Sequence, residues 1–554
     1  MKIEVYINSQ KSDTKEYGRP VLIEEVIEDM QMELPYDILT ARINGHRAPL
    51  TDVLREDCSL DLIDFRDSWG RSVYRASLSF LYIKAVHDVL GQHVHVKLSN
   101  TLSEGIFSTL SQELEEGQDK LIEKRMFELV DEGLDINQDI LGRKKLLEYL
   151  HQTNQADLLE MVEYTPDLQM ALLSKMGEEE QIFYTYMVPN TSYLKYFEIR
   201  PYKQGLLVRY SHSSNPCQIQ KFEEEPLLYS ALCDSRRWSE ITGVSYAYDL
   251  NKAVMKNKYL DLILLSEAFH AQRIADIAKD IFNKKKRIIL IAGPSSSGKT
   301  TFAKRLCVQL QVFGMKPLYL GTDDYFKDEA DTPLGKDGKP DFESISALDV
   351  ELFETQINDL LDGKKVDIPT FDFISGKKVF GDRQVQIDES RPVVIEGLHC
   401  LNPALTQNID ADQKYSIYIS PIMQTNIDEH NKVPVADARM LRRIARDARS
   451  RGRSAAATIA LWNKVRSGEE VNIFPYCDYA DAYFNSHCLY EAALFKSLVK
   501  PLLEEITEDM DEYPEARRML HFLQFFVELD DDSAVPNSSV IREFIGGSVF
   551  ESLD

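Results

Sequence analysis

Gly293, Gly298, Lys299 and Thr300 are spaced as G-x-x-x-x-G-K-T inside the run Arg287-Ile288-Ile289-Leu290-Ile291-Ala292-Gly293-Pro294-Ser295-Ser296-Ser297-Gly298-Lys299-Thr300-Thr301. The chemistry of that spacing is phosphate binding. Glycine lets the backbone turn so that successive N–H groups face one point, and a helix N-terminus adds its dipole. The cradle comprises Gly293, Pro294, Ser295, Ser296, Ser297, Gly298, Lys299, Thr300 and Thr301. Lys299 reaches terminal phosphates, and Thr300 offers a hydroxyl to Mg²⁺.

Two carboxylates follow where such chemistry needs them. Asp323 stands in Gly321-Thr322-Asp323-Asp324-Tyr325-Phe326, after a strand pattern at 316–320. A carboxylate there can orient an acceptor hydroxyl and take its proton. Glu396 ends the apolar run Val393-Val394-Ile395, a place to hold Mg²⁺ or its water. Acids are also common in turns and caps; that both follow a phosphate loop in one alternating region favours chemistry. Seven arginines then fall within fifteen residues: Arg439, Arg442, Arg443, Arg446, Arg449, Arg451 and Arg453. Guanidinium forks match phosphate oxygens. The alternative is a solvated basic helix paired with acids. Gly452 between Arg451 and Arg453 suggests a hinge, and the cluster reads as a lid over ATP.

The elements that must position these groups alternate. Strand patterns at 287–291, 316–320, 392–396 and 414–420 are separated by helical ones, which implies an α/β domain with a parallel sheet flanked by helices. Phe302, Leu306, Leu310 and Phe313 recur at helical spacing until Gly314. Upstream, strand-like segments at 2–8, 39–43 and 60–65 surround an Asn44-Gly45 turn. A length of 554 residues exceeds one core. The expected divisions are a small β-rich domain at 1–67, an α+β domain at 68–225, a helical connector at 226–285, the loop-bearing domain at 286–510 and a tail at 511–554. The tail segment Ile541-Arg542-Glu543-Phe544-Ile545-Gly546-Gly547 carries no recognisable chemistry beyond that of a docked end.

Composition narrows the classes. Hydrophobic residues make up 44% and aromatic residues 10%, as in folded domains. A net charge of −26 argues against broad nucleic-acid or membrane binding. Cys58, Cys217, Cys233, Cys307, Cys400, Cys477 and Cys488 form no paired spacing, so neither disulfides nor structural zinc are expected. The start, Met1-Lys2-Ile3-Glu4-Val5-Tyr6-Ile7-Asn8, lacks a signal-peptide core, and no apolar run reaches spanning length. A cytoplasmic protein is the expectation.

Residues 287–500 resemble the uridine kinase and phosphoribulokinase family of P-loop kinases. The resemblance rests on the loop, Asp323-Asp324-Tyr325-Phe326, Asp341-Phe342-Glu343, Ala347-Leu348-Asp349, Pro369-Thr370-Phe371-Asp372-Phe373, Glu396-Gly397, Asp437-x-Arg439 through Arg453, and Tyr479-Ala480-Asp481. It implies a kinase using ATP and Mg²⁺, with Asp323 as catalytic base and Lys299, Arg443 and Arg446 acting on the phosphates. It further implies that Thr300, Asp323 and Glu396 hold Mg²⁺ or its waters, and that Asp323, Tyr325, Phe371, Phe373 and Arg439 bind substrate. Gly376 and Leu461 stand where family members place a base-reading His and Gln, so the identity of the base is open.

Residues 1–67 resemble the β-grasp (TGS) domain of threonyl-tRNA synthetase, and 68–225 its editing domain. Within Arg75-Ala76-Ser77-Leu78-Ser79-Phe80, Ala76 and Phe80 replace the two editing-site histidines, and the later Cys-x-x-x-His pair is missing around Phe197 to Tyr202. His87, His93 and His95 read as surface or strand residues. The resemblance therefore implies no hydrolysis of misacylated tRNA.

The leading expectation is a nucleoside kinase of the uridine and cytidine type, phosphorylating a 5′-hydroxyl and plausible as a homo-oligomer. Two alternatives stay open: a kinase of another small alcohol such as a sugar phosphate, and an ATP-switched, RNA-binding regulator linked to translation. The acidic composition counts against RNA.

Overall fold

The computed structural model describes residues 1–30, 34–102, 105–335, 338–423 and 425–552. The chain forms two compact units. One comprises Met1–Glu225, Tyr246–Tyr248 and Asn426–Lys432; the other comprises Pro226–Ser245, Asp249–Thr425 and Val433–Asp554.

The first unit opens with a five-stranded mixed sheet. Its strands lie in the order Gln10–Glu16, Lys2–Ile7, Cys58–Asp64, Ile38–Ile43, His46–Ala48, and helix Ile23–Asp29 packs against it. Asn44 and Gly45 both take positive φ, 48° and 83°, the geometry of a tight hairpin. Strand Gln10–Glu16 is polar and largely exposed, which hides it from a search for apolar alternation. Helix Ser68–Leu90 then shares one core with residues of a four-stranded antiparallel sheet and of a three-stranded sheet. On that helix Phe80 is buried and meets Phe183 with ring centroids 5.5 Å apart. His87 is held by Glu179 at 2.9 Å, whereas His93 and His95 are exposed.

The second unit is built on a parallel sheet. Strand β1 (Ile288–Ala292) leads to helix α1 (Lys299–Val312), followed by β2 (Leu318–Gly321), β3 (Val393–Glu396), β4 (Lys414–Ser420), helix α2 (Val435–Ser450), β5 (Ala482–Asn485) and helix α3 (Glu491–Glu504). The spatial order is β2-β3-β1-β4-β5, all parallel. Every residue of β1 is buried because helices cover both faces, which explains an unbroken apolar run. Ile289, Ile291, Phe302, Leu306, Ile417 and Phe484 share one core, joined by Ile274, Ile277 and Ile281 of the helix Tyr259–Asn283. The helix Tyr259–Asn283 therefore contributes to this unit's core. Strand β5, Ala482–Asn485, has no counterpart among the strand patterns read from the sequence.

All seven cysteines are free. Glu267, His270 and Cys488 approach within 4.8 Å of one another, but Glu267 already accepts from Ser539 and faces Arg305 at 3.4 Å. Among the described residues, no helix is long and apolar enough to cross a membrane.

Burial keeps two imidazoles of this unit neutral. Desolvation, aided by the Arg305 charge, brings His270 down to about 3, and desolvation brings His399 to about 4. Each binds its proton more weakly folded than unfolded, so the unfolded chain gains protons first as pH falls below the ordinary value of 6.5. Stability is complete above that value and declines on acidification. Between pH 7 and pH 5 each histidine should remove about 2 kcal/mol from the unfolding free energy. Urea unfolding at the two pH values measures it, and His270→Gln should flatten the dependence; an unchanged slope in that variant refutes the assignment.

Candidate active site

The phosphate loop joins β1 to α1. Its first glycine is demanded by space: a Cβ on Gly293 would overlap the Ile419 carbonyl oxygen. Gly298 caps α1 at φ 87°, and Ser296 is also left-handed at φ 60°, a strained conformation of the kind loops adopt at working sites. The hydroxyls of Ser296 and Ser297 are buried and make no hydrogen bond to protein. Buried hydroxyls are costly without a partner, so phosphate oxygens suit this loop. Lys299 folds back, its ammonium donating to the carbonyls of Gly293 at 2.9 Å and Pro294 at 3.2 Å.

Thr300 and Glu396 meet directly. The Thr300 hydroxyl donates to Glu396 Oε1 at 2.9 Å, and Tyr319 donates to the same oxygen at 3.2 Å. Desolvation raises the Glu396 carboxyl; Lys299 opposes the rise and Asp323 adds to it. These donors are all oxygen, the set a hard divalent cation prefers, so the residues present fit Mg²⁺.

Asp323 follows β2 in a short 3₁₀ turn, Thr322–Tyr325. Its side chain is exposed to solvent, yet the surrounding protein desolvates the carboxyl enough to raise it, with Lys299 opposing and Asp324 and Glu343 adding to the rise. Arg383 donates to Asp324 at 2.6 Å, which leaves Asp323 as the unclaimed acid of the pair. Tyr325 turns away into the core, its hydroxyl donating to Gln356 at 3.0 Å and its ring edge-on to Phe353. Phe371 and Phe373 sit 5.1 Å apart in an aromatic group with Phe326 and Phe342; Phe371 is buried, while Phe373 is 69% exposed.

Helix α2 braces the loop. Arg439 donates to the Ser295 carbonyl at 2.9 Å, pairs with Glu469 and lies over Trp462. Arg443 donates to the Ser295 hydroxyl at 2.6 Å, and desolvation holds its guanidinium down to about 10, still charged at neutral pH. Arg442 grips Glu491 with two nitrogens, at 3.1 and 2.7 Å, and donates to the Ser486 carbonyl at 2.8 Å. Arg446 is held to Asp447 at 3.0 Å, and Asp447 also faces Arg443, Arg451 and Arg453. Arg439, Arg442 and Arg443 are buried here, as supports of the loop.

Three groups escaped the sequence reading. Glu469 accepts from the Ser295 N–H at 2.9 Å. Glu343 is raised by desolvation and by Glu469, and feels the charges of Arg443 and Lys299. Glu543 touches Thr301. Only Glu343 carried a signal, in the Asp341-Phe342-Glu343 motif.

Residues 288–490 match the family described as Phosphoribulokinase / Uridine kinase family. A uridine kinase of Ligilactobacillus salivarius (strain UCC118) is 31% identical over 176 residues, 32% of this chain and 73% of that relative. A uridine kinase of Staphylococcus aureus (strain JH9) is 30% identical over 200 residues, 36% of this chain and 86% of the relative. A solved structure described as a possible uridine kinase from Bacillus stearothermophilus aligns with 39% of this chain and 98% of its own, with a TM-score of 0.27 and 20% identity.

Proposed function

The chain belongs to the phosphoribulokinase and uridine kinase family and is a phosphotransferase, and from that premise we propose that it transfers the γ-phosphoryl group of ATP to the 5′-hydroxyl of a nucleoside. The observation that carries this reading is Asp323: an accessible carboxylate, with its neighbour Asp324 neutralised by Arg383, under the charge of the loop lysine. Asp323 receives a hydrogen bond from the acceptor hydroxyl and takes its proton as the new P–O bond forms and the bond from the γ-phosphorus to the departing ADP oxygen breaks. Lys299 leaves the carbonyls of Gly293 and Pro294 for the phosphate oxygens, and the loop N–H groups hold the chain of phosphates in line. Arg443, already at the Ser295 hydroxyl, faces the charge that develops; Arg446 joins it by leaving Asp447, and Arg439 positions the loop. Thr300, Asp323 and Glu396 would hold Mg²⁺ or its waters, and that ion, when bound, offsets the phosphate charge. Phe371 and Phe373 form the wall of the nucleoside pocket, whereas Tyr325, fully buried against Gln356 and Phe353, does not line it.

One observation favours a second acceptor class. Gly376, whose carbonyl accepts from the Glu329 N–H, has no side chain to read a base, and Leu461 is apolar. Missing polar readers relax discrimination, which admits a sugar or sugar phosphate. In this reading the N-terminal unit, β-grasp-like and then editing-like, is a scaffold, oligomerisation surface or sensor in a cytoplasmic enzyme.

The test is ADP release with Mg²⁺-ATP across ribonucleosides, deoxynucleosides and sugar phosphates. Turnover fastest with uridine or cytidine supports the proposal. Turnover confined to sugar phosphates moves the acceptor, and silence with ATP still bound replaces the kinase with the RNA-linked switch.

A further inference from the structure

Residues 539–545 pack on the phosphate loop and the start of α1. Val540, Ile541 and Phe544 are fully buried, and the Ser539 hydroxyl donates to Glu267. The Val540 side chain lies against Gly298, where a glycine Cβ would strike Val540 Cγ1. The following turn, Arg542–Ile545, delivers Glu543 to the start of α1. There the Glu543 carboxylate accepts from the Thr301 N–H at 3.2 Å and from the Thr301 hydroxyl at 2.9 Å. Side chains of α2 and α1 also hold the segment. Arg449 donates to the Glu543 carbonyl at 3.3 Å and to the Glu551 carboxylate at 2.7 Å, and Lys304 donates to the Phe550 carbonyl at 3.2 Å. The negative charge of Glu543 also bears on Glu396, so it acts within the same electrostatic site.

Thr301 is the third residue of α1, and its N–H is one of the helix-start donors without a partner inside the helix. In a phosphate loop those donors belong to the nucleotide. A carboxylate is the side-chain group nearest to a phosphate in charge and acceptor geometry.

We infer that the C-terminal segment is an autoinhibitory strap, in which Glu543 occupies the phosphate-binding donors of Thr301 and thereby sets the affinity of the loop for nucleotide. The inference rests on the phosphate-loop reading under Proposed function. Nucleotide binding must displace the Glu543 carboxylate, both because two anions compete for one pair of donors and because they repel. The buried apolar anchors at Val540, Ile541 and Phe544 make that displacement a local swing or a release of the segment, while the rest of the α/β core is untouched.

The experiment is titration of the full-length chain with Mg²⁺-ATP by calorimetry, for the parent, Glu543→Gln and Glu543→Ala. Glutamine keeps the size and an acceptor oxygen but not the charge, so its fold is safe. Both variants should bind ATP about tenfold more tightly, equal to about 1.4 kcal/mol. Independently, amide exchange of the unaltered parent should quicken across 540–546 when ATP is added. Equal or weaker binding in both variants, with exchange unchanged, overturns the strap and makes Glu543 a structural cap. Failure of all three chains to bind ATP overturns the phosphate-loop reading itself and the strap with it.

Discussion

Asp323→Asn should lower phosphoryl transfer by about 10²–10⁴-fold while leaving ATP binding within a few-fold of the parent. The carboxylate lies beyond β2, outside the loop, and its removal takes away the proton acceptor but none of the N–H cradle. Asparagine keeps the size and one acceptor oxygen, so the acceptor alcohol can still dock. The drop therefore belongs in kcat, with little change in the KM for either substrate. Because desolvation raises the Asp323 carboxyl in the free enzyme, the acidic limb of the kcat/KM profile, which reports that state, should lie above that of an ordinary aspartate. That limb should vanish in the variant. Steady-state kinetics with ATP titration checks both statements, and near-parental kcat in the variant would falsify the base assignment.

The second large effect concerns stability. Arg442→Ala should destabilise the kinase unit by about 3–5 kcal/mol. Arg442 is fully buried, with Glu491 as its bidentate partner, and its guanidinium also lies over the Phe544 ring. Truncation leaves Glu491 buried without its cation, and an unpaired buried charge costs far more than the pair contributes. In the parent, despite its own burial, Glu491 is held down to about 2 by Arg442 and His487. Its contribution to stability is present above the ordinary value of 4.5 and is lost as pH falls toward about 2. In the variant the carboxyl shifts the other way and takes up a proton. The deficit should therefore be largest at neutral pH and shrink on acidification. Adding Glu491→Leu to the variant should recover much of the loss. Urea unfolding of the three chains decides: a deficit below about 1 kcal/mol would mean the pair behaves as a solvated surface bridge.

Local chemistry is legible in the chain where a few neighbouring residues encode it. Residues 288–301 declare a strand, a turn and a helix start within one short segment, because an apolar run, two glycines and a lysine each act on their immediate neighbours. The alternation that follows is enough to imply a parallel sheet, since parallel strands need helical crossovers. The spacing of Arg439, Arg442 and Arg443 predicts phosphate chemistry and does not reveal them as buried supports of the loop, because a spacing shows a face and not what packs on it. Tyr325 was legible as aromatic, and only packing turned it inward to Gln356.

The phosphate-loop pattern, the acids at the ends of β2 and β3, and the succession of β1 to β4 along the chain were legible in the sequence alone, through interactions spanning a few residues. The meeting of Glu469 with the Ser295 N–H, 174 residues apart, and of Glu543 with Thr301, 242 residues apart, was decided only by the tertiary structure. No periodicity or local propensity encodes such a contact. It exists because burying Val540, Ile541 and Phe544 fixes where Glu543 lies, and its carboxylate meets the helix-start donors of Thr301.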